Sequence, residues 1–548
     1  MDKHNRVSRR LVLGGLAGTA GAAALAACSP EGGSGGSGGG GNGGGGGSDG
    51  WTPPNFVPFE GVEPDLPGTE DGVSPAFFSY PNPPMDREGF PLPQTDDVTA
   101  LLQGVPPPTA PDQNPAYEVF RAQAGNKMAA TTITSADYLN RYQVVLASDD
   151  IPDFVQMSTV PQFPKLLEST FTDLTDILGG DGVEKYPGLA NIPTPTWDIP
   201  KVNGRLWGIA QPRPPAGRIL SARGDLLAEK GIDKNPDINS GEDFVDLLAE
   251  LTDRGNNQFA MGADPAGWLL PGLLEMMEAP NDWALEGDTY VSVNESPQMA
   301  EALNEGAKII KAGYLHPNSF SDPSQNATWW NGGVTSMYFQ AFTGWGVFAR
   351  GNPDWDLGYV RLPKWGGGGK APLWKSVAGY GAFIAIKKQS SDERLEELLK
   401  LADFVASPFG TQQFLDVNYG AEGTHYEMKD GNPEFLPDQS ANIVAGWGYL
   451  GGNSQAILFV PGQDELVQAQ HEYLTETIPT GVSSAALGLY SETAVSKGSS
   501  WNQRLTDMKR EVLRGAKSVS DWEKLVADWK SAVGEAIAGE YAEAAAAG

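Results

Sequence analysis

The sequence predicts an α/β fold built on a largely parallel sheet. Short β-prone runs alternate with helical runs over residues 76–157, and apolar positions recur at helical spacing later in the chain. Strands that alternate with helices are joined by crossover connections, so that neighbouring strands run parallel. With 548 residues, the chain is long enough for one large two-lobed unit or for two to three domains.

The elements follow in chain order. We expect a strand from residue 76 (AFFSY), a helix over 116–124, a β-prone run at 131–133, a helix over 136–147 and a short buried strand at 153–157. Ser390 and Glu393 have capping-box spacing ahead of an apolar stripe that ends at Val405. Ser520 and Glu523 repeat this spacing before the last predicted helix.

Residues 1–27 have the pattern of an export signal, with a basic start followed by an apolar, small-residue run. The run ends in LAAC at Cys28, which matches the bacterial lipobox and predicts lipidation of that thiol. Arg9 and Arg10 precede three apolar residues, which favours twin-arginine export, with general secretion as the alternative.

A flexible tether and an extended arm are predicted after the signal. Glycine fills 14 of the 20 positions from 31 to 50, and such a coil spans roughly 25 Å. We assign residues 28–50 to this tether. Residues 51–75 are rich in proline and acids without periodicity, which predicts an arm lying along the folded part.

Composition and motif searches exclude several classes of function. The net charge of −31 repels nucleic acid, and one cysteine with four histidines argues against a metal centre. No G-x-S-x-G motif occurs, and Ala371 stands where a phosphate-binding loop needs Ser or Thr. Paired acids such as Asp149 and Asp150 could serve glycoside hydrolysis, but among 69 acids their proximity is weak support.

The chain is unusually rich in tryptophan, with 15 residues. Trp345 and Trp447 each stand between two glycines, and Trp268 follows Gly267. A tryptophan with such neighbours is expected in a loop, where its indole can stack on the apolar face of a sugar ring. The alternative for each is core packing.

Five stretches, taken together with the lipobox, resemble the lipoprotein substrate-binding components of bacterial ABC importers, in the group that mostly serves carbohydrates. The stretch from Tyr142 to Met157, which contains 146–155, resembles that family's helix, "ASGDLPD" turn and strand, and residues 418–426 resemble its "GIEGVHY" segment. The matching stretches are 146–155 (LASDDIPDFV), 202–210 (VNGRLWGIA), 223–232 (RGDLLAEKGI), 379–387 with the following helix, and 418–426 (NYGAEGTHY).

The resemblance implies a two-lobed periplasmic-binding-protein-like fold in residues 76–548, with a hinge between the lobes. We divide it into lobe 1, about 76–205 and 326–375, and lobe 2, about 206–325 and 376–548. It further implies a monomer anchored by lipid at the extracellular face of the cell membrane, with no cofactor, no metal and no catalytic residue. Some longer relatives carry an acidic calcium loop after the helix that here ends near Leu251, but residues 253–258 are short of carboxylates, so we predict no calcium there. ABC permease subunits would be its protein partners.

The ligand of such a protein would be a sugar or oligosaccharide held in the cleft. Hydroxyl groups need polar partners and ring faces need aromatic ones. The ligand-binding residues that we predict on this basis are Tyr80, Gln156, Trp207, Arg213, Trp268, Trp345 and Trp447. The alternatives are a tethered polysaccharide-degrading enzyme and a glycan sensor with the same fold.

Overall fold

The computed structural model describes residues 52–148 and 150–547. The predicted export signal, Cys28 and the glycine tether lie outside the described residues. The strands are β1 (Val98–Gln103), β2 (Met128–Ile133), β3 (Phe154–Gln156), β4 (Lys201–Val202), β5 (Arg205–Leu206), β6 (Ile209–Pro212), β7 (Arg218–Ala222), β8 (Phe259–Met261), β9 (Trp283–Glu286), β10 (Thr289–Ser292), β11 (Thr335–Ala341), β12 (Gly358–Tyr359), β13 (Gly379–Ile386), β14 (Tyr426–Lys429) and β15 (Asn432–Phe435).

The α-helices surround two larger sheets. They are α1 (Pro115–Ala124), α2 (Ser135–Leu146), α3 (Phe163–Thr170), α4 (Thr175–Leu178), α5 (Pro187–Ala190), α6 (Gly224–Ala228), α7 (Gly241–Glu250), α8 (Leu270–Met276), α9 (Pro297–Ala312), α10 (Asn326–Asn331), α11 (Gly344–Gly351), α12 (Asp392–Val405), α13 (Gln412–Asn418), α14 (Asp464–Thr477), α15 (Glu492–Leu513), α16 (Val519–Trp529) and α17 (Glu535–Ala547).

The first sheet has the strand order β2-β1-β3-β13-β6. β1 pairs in parallel with β2 and β3, as the alternation of strands and helices predicts. β13 is antiparallel to both β3 and β6. Successive side chains of a strand point to opposite faces, so Phe154 packs into one core and Val155 into the core on the other face.

The second sheet has the order β12-β7-β11-β8 and corrects part of the expected division into lobes. β11 pairs with β7 and β8, so most of 326–375 belongs with the second sheet and not with the first. β13 pairs with β3, which places the return of the chain in the first lobe. Pairing between strands that are distant in sequence leaves no local signal, and the exact lobe boundaries stay a prediction.

Local sequence patterns predicted the positions of most of the early helices and strands. α1 begins after Asn114, whose side chain accepts the N–H of Ala116, and ends at Gly125 in the left-handed region with φ 70°. The two later caps are each shifted from the expected residue. Ser391 caps α12, and Ser518 forms the capping box of α16 with Asp521.

The strand expected from residue 76 is wrong. Ala76 makes only isolated bridges, to Leu66 and Leu458, and the segment after it packs as a loop. Phe77 stacks on Phe409, with ring centroids 4.3 Å apart, so the apolar run fills an aromatic cluster. The apolar character of this run therefore predicts its burial but not its conformation.

Residues 52–75 contain little regular structure, and their backbone bonds to the first lobe. The N–H of Asn55 donates to Gly180 O at 3.1 Å, and that of Val57 donates to Ala190 O at 2.8 Å. Throughout the part of the chain that the structure describes, no helix has both the length and the apolarity needed to cross a membrane.

Candidate functional site

The parallel strands of the first sheet end side by side, and β1 and β3 finish at Gln103 and Gln156. In open α/β sheets, ligands bind beyond the carboxyl ends of the strands. This edge faces the segments that connect the two sheets. Residues 213–217 run from β6 in the first sheet to β7 in the second, and the chain returns before β13.

Gln156 lies at this edge with its amide orientation fixed. Its Oε1 accepts the N–H of Gln103 at 2.7 Å, and the side chain of Gln103 in turn donates to Ser135 Oγ. The residue is only 1% exposed, yet its Nε2 has no hydrogen-bond partner among the described residues. Rotating the amide would place Nε2 against the Gln103 N–H, so the unpartnered group is a donor.

Arg213 and Gln211 flank the end of β6, where the chain leaves the first sheet. The Arg213 N–H donates to Ala378 O at 3.3 Å, so the outgoing and returning segments are joined there. Gln211 is buried, and its Oε1 has no hydrogen-bond partner among the described residues. The predicted residue Arg213 therefore lies at the connection between the lobes, and Gln211 beside it was not predicted.

Tyr80 and Trp207 are packed into the first lobe. The Tyr80 hydroxyl donates to Thr411 O at 2.6 Å, and burial raises the pKa of this phenol. The Trp207 indole N–H donates to Val202 O at 3.2 Å. Both polar atoms are used within the lobe, so the structure gives neither residue a free group for a ligand.

The expectation that Trp345 and Trp447 lie in open loops is wrong. Trp345 lies in α11 and is 0% exposed, and Trp447 lies in a 3-10 helix (Ala445–Leu450) and is 1% exposed. A Cβ on Gly448 would come 2.8 Å from Gln211 Nε2. The neighbouring glycine therefore permits close packing, and neither indole presents a face to a sugar.

Trp268 is partly exposed. It lies in a helical turn (Pro265–Leu269) just after β8, and it stacks on Phe339 with centroids 6.5 Å apart and planes 19° apart. The carboxylate of Asp264, which precedes this turn, pairs with Arg510 at 2.6 Å. Of the predicted tryptophans, Trp268 is the one that keeps a partly open indole.

Trp374, in the segment that returns to the first sheet, is a half-buried aromatic that the prediction missed. Its indole N–H donates to Ala279 O at 3.1 Å, and the Arg218 guanidinium lies 5.3 Å from the ring centroid. Arg218 also pairs with Glu275 at 3.3 Å, and burial raises the pKa of that carboxyl. Nothing in the local sequence distinguishes Trp374 from the other tryptophans.

A hydrogen bond between the two lobes lies away from the connecting segments. Gln162, just before α3 in the first lobe, donates its N–H to Glu492 Oε2 at 3.0 Å. Glu492 begins α15, which packs on the second lobe, and Tyr490 donates its hydroxyl to the same carboxylate oxygen. This contact ties the loop after β3 to the second lobe.

His425, in the segment that resembles "GIEGVHY", stabilises the first lobe. Its Nδ1 accepts the Ala421 N–H at 3.0 Å, and its Nε2 lies 3.1 Å from Asn114 Oδ1. Asn114 donates its amide to Asn442 O, so its oxygen is the acceptor and His425 Nε2 carries the proton. Burial lowers the pKa of His425.

The described residues contain no group of three or more His, Cys, Asp or Glu side chains that could hold a metal ion. At residues 253–258, the Asp253 carboxylate accepts the backbone N–H groups of Gly255 and Asn256 within its own turn. The absence of calcium at this turn stays a prediction.

The fold and parts of the sequence are similar to those of known binding proteins. The polygalacturonan/rhamnogalacturonan-binding protein YtcQ of Bacillus subtilis (strain 168) is 20% identical over 458 residues, which cover 79% of this chain and 88% of that protein. An alginate-binding protein, solved without calcium ion, superposes with a TM-score of 0.58 at 14% identity, covering 84% of this chain and 99% of its own.

A third relative is the N-glycan transport solute-binding protein of Streptococcus pneumoniae. It superposes with a TM-score of 0.58 at 16% identity, covering 82% of this chain and 98% of its own. These structures confirm the predicted two-lobed α/β fold. The sequence model of the bacterial extracellular solute-binding proteins matches residues 116–421, more than half of the chain. The chain therefore belongs to the bacterial extracellular solute-binding protein family.

Proposed function

We propose that the chain is a membrane-tethered extracellular substrate-binding protein that captures a sugar or oligosaccharide between its lobes. Gln156 is the observation that carries this proposal, because a buried amide donor without a partner stands at the edge where α/β sheets bind ligands. A sugar hydroxyl accepts such a hydrogen bond. The carbohydrate names of the relatives support the same class of ligand.

Closure of the lobes would bury the sugar and present the closed form to ABC permease subunits. The contact between Gln162 and Glu492 supports such a closed form, because it joins the lobes beside the loop after β3. Ligands that favour one arrangement of two domains shift the population toward it. Arg213, Gln211 and Trp268 are the further residues that we place near the sugar.

Lipidation of Cys28 would hold the protein at the outer face of the membrane. The glycine-rich residues 31–50 would then let the folded part reach a permease in the same membrane. Incorporation of a labelled fatty acid into the full chain, and its loss in Cys28→Ala, tests this tether. Labelling that survives Cys28→Ala would contradict it.

The experiment that tests the binding function is a thermal-shift screen of the purified full chain against mono- and oligosaccharides, with chemical analysis of each ligand afterwards. A ligand that binds only the folded state raises the melting temperature. We expect at least one oligosaccharide to do so and to be recovered unchanged. A cleaved ligand would identify a polysaccharide-degrading enzyme, and the absence of any shift would contradict a sugar as the ligand.

A further inference from the structure

A cavity of about 330 Å³ opens on the second lobe, apart from the segments that connect the two sheets. Its walls come from the turn and strand at 254–265 and from the end of α9 with the loop that follows it, residues 310–320. Ligand pockets range from about 300 to 1,000 Å³, so the cavity is large enough for a small molecule. All of its lining residues belong to the second lobe.

The walls of this cavity are mainly apolar. Aromatic rings line it from two segments, Phe259 in β8 and Phe320 in the loop, and Ile310 and Leu315 add aliphatic surface. The partly buried side chains of Ile310 and Phe320 pack on the core of the second lobe. An apolar ligand body placed between them would be removed from water on several sides.

One buried polar group lines the cavity without a partner. Ser319 is 2% exposed, and its Oγ has no hydrogen-bond partner among the described residues. A buried hydroxyl that forms no hydrogen bond destabilises the folded state. Because a hydroxyl both donates and accepts, a polar atom of a ligand would satisfy it.

The rim of the cavity carries a positive charge. Arg254 lines the cavity and makes no ion pair among the described residues. Asp253, which precedes Arg254, accepts the backbone N–H groups of Gly255 and Asn256 within its own turn. Asp264 pairs with Arg510, and Glu511 pairs with Arg514, whose guanidinium lies 4.4 Å from the centroid of the Phe320 ring. In a chain of net charge −31, an arginine without an acidic partner favours an anion locally.

We propose that this cavity is a second binding site, distinct from the sugar site, for a small monocarboxylate with an aromatic or branched aliphatic body. The apolar body lies between Phe259 and Phe320, and the carboxylate pairs with Arg254 at the rim. The Ser319 hydroxyl makes the remaining hydrogen bond. The site does not depend on the proposed sugar binding, because it uses no residue that we assign to the sugar.

Phenylacetate is the probe for this site, because it combines an aromatic ring with one carboxylate. Isothermal titration calorimetry of the purified full chain should give one binding event per chain. Phenylacetamide, which has the same shape without the charge, should bind at least fivefold more weakly. Equal affinity for the two probes would overturn the proposal, and so would the absence of binding by phenylacetate.

Two arginine variants locate the site. Arg254→Ala should weaken phenylacetate at least fivefold without changing the melting temperature, because the side chain is exposed. Arg121→Ala is the matched control, since Arg121 is an exposed arginine of the first lobe, and it should leave the affinity unchanged. Hydrogen exchange with saturating phenylacetate should slow at residues 254–265 and 310–320. Unchanged affinity in Arg254→Ala, or slowing only elsewhere, would contradict the assignment.

Discussion

The Arg87–Asp403 pair in the helix layer of the first lobe and the Gln156 amide at the carboxyl edge of its sheet differ in how fully their buried polar groups are hydrogen-bonded. In the helix layer, Arg87 pairs with Asp403 at 2.7 Å, and Asp403 Oδ1 accepts the Gly188 N–H at 2.6 Å. At the edge of the sheet, Gln156 keeps a buried donor without a partner. Satisfied groups maintain the fold, whereas we propose that the unpartnered donor of Gln156 marks a place for a ligand.

The largest effect on stability should come from breaking the Arg87–Asp403 pair. Arg87→Met leaves the Asp403 carboxylate buried without its counter-charge, so the free energy of unfolding should fall by about 3–5 kcal/mol. Urea denaturation measures this loss. The control is Arg121→Met, whose ion pair with Glu118 is exposed, and it should change stability by less than about 0.5 kcal/mol. A loss below about 1 kcal/mol for Arg87→Met would contradict the role of the network.

A smaller effect separates stability from binding. Gln156→Met removes the acceptor of the Gln103 N–H, and Gln413→Met removes that of the Arg87 N–H, so each should cost about 1–3 kcal/mol of stability. Both glutamines are buried, which makes them a matched pair. Only Gln156→Met should also weaken the oligosaccharide, by about fivefold for one lost hydrogen bond. Calorimetric titration measures the affinity for the oligosaccharide. Equal affinity of the two variants would contradict the proposed role of Gln156.

The contact between the lobes should have a still smaller effect. Glu492→Ala removes the acceptor of the Gln162 N–H, which should make the closed form less stable by about 1 kcal/mol. The oligosaccharide should then dissociate a few times faster in stopped-flow measurements. Glu523→Ala, on the exposed side of α16, serves as the control and should leave the rate unchanged. An unchanged rate in Glu492→Ala would show that the contact does not hold the closed form.

The smallest effect concerns pH. Burial lowers the pKa of His425, so the unfolded chain binds the proton more readily, and stability falls as the pH decreases below the ordinary histidine pKa of about 6.5. Denaturation at pH 7 and pH 5 should give a larger difference for the wild type than for His425→Gln. His471→Gln is the control and should retain the wild-type difference. An identical pH dependence in His425→Gln would refute this assignment.

The sequence predicted the carboxyl edge of the first sheet more accurately than it predicted the environment of the tryptophans. The short run at 153–157 is predicted as a buried strand after the helix over 136–147, and Gln156 lies at the end of this strand, β3. The glycines beside Trp345 predict an open loop. A Cβ on Gly346 would lie 3.3 Å from a methyl group of Val460, so this glycine instead admits close packing.

The strand partners could not be predicted. β11 and β13 lie far from β7 and β3 in the sequence, and their pairing depends on how the whole chain folds back. Trp374 was missed for a similar reason, since its contact with Arg218 forms only when the returning segment meets the start of β7. Local patterns therefore predicted elements, whereas the composition of the site depends on long-range contacts.

Hydrogen exchange of the full chain, with and without the oligosaccharide that stabilises it most, tests the central claim most directly. Bound sugar should slow exchange at Gln156, in the loops after β1 and β3, and in residues 213–217, which include Arg213. The sugar should be recovered unchanged. Exchange that is unaffected in those segments, despite saturating sugar, would contradict binding between the lobes.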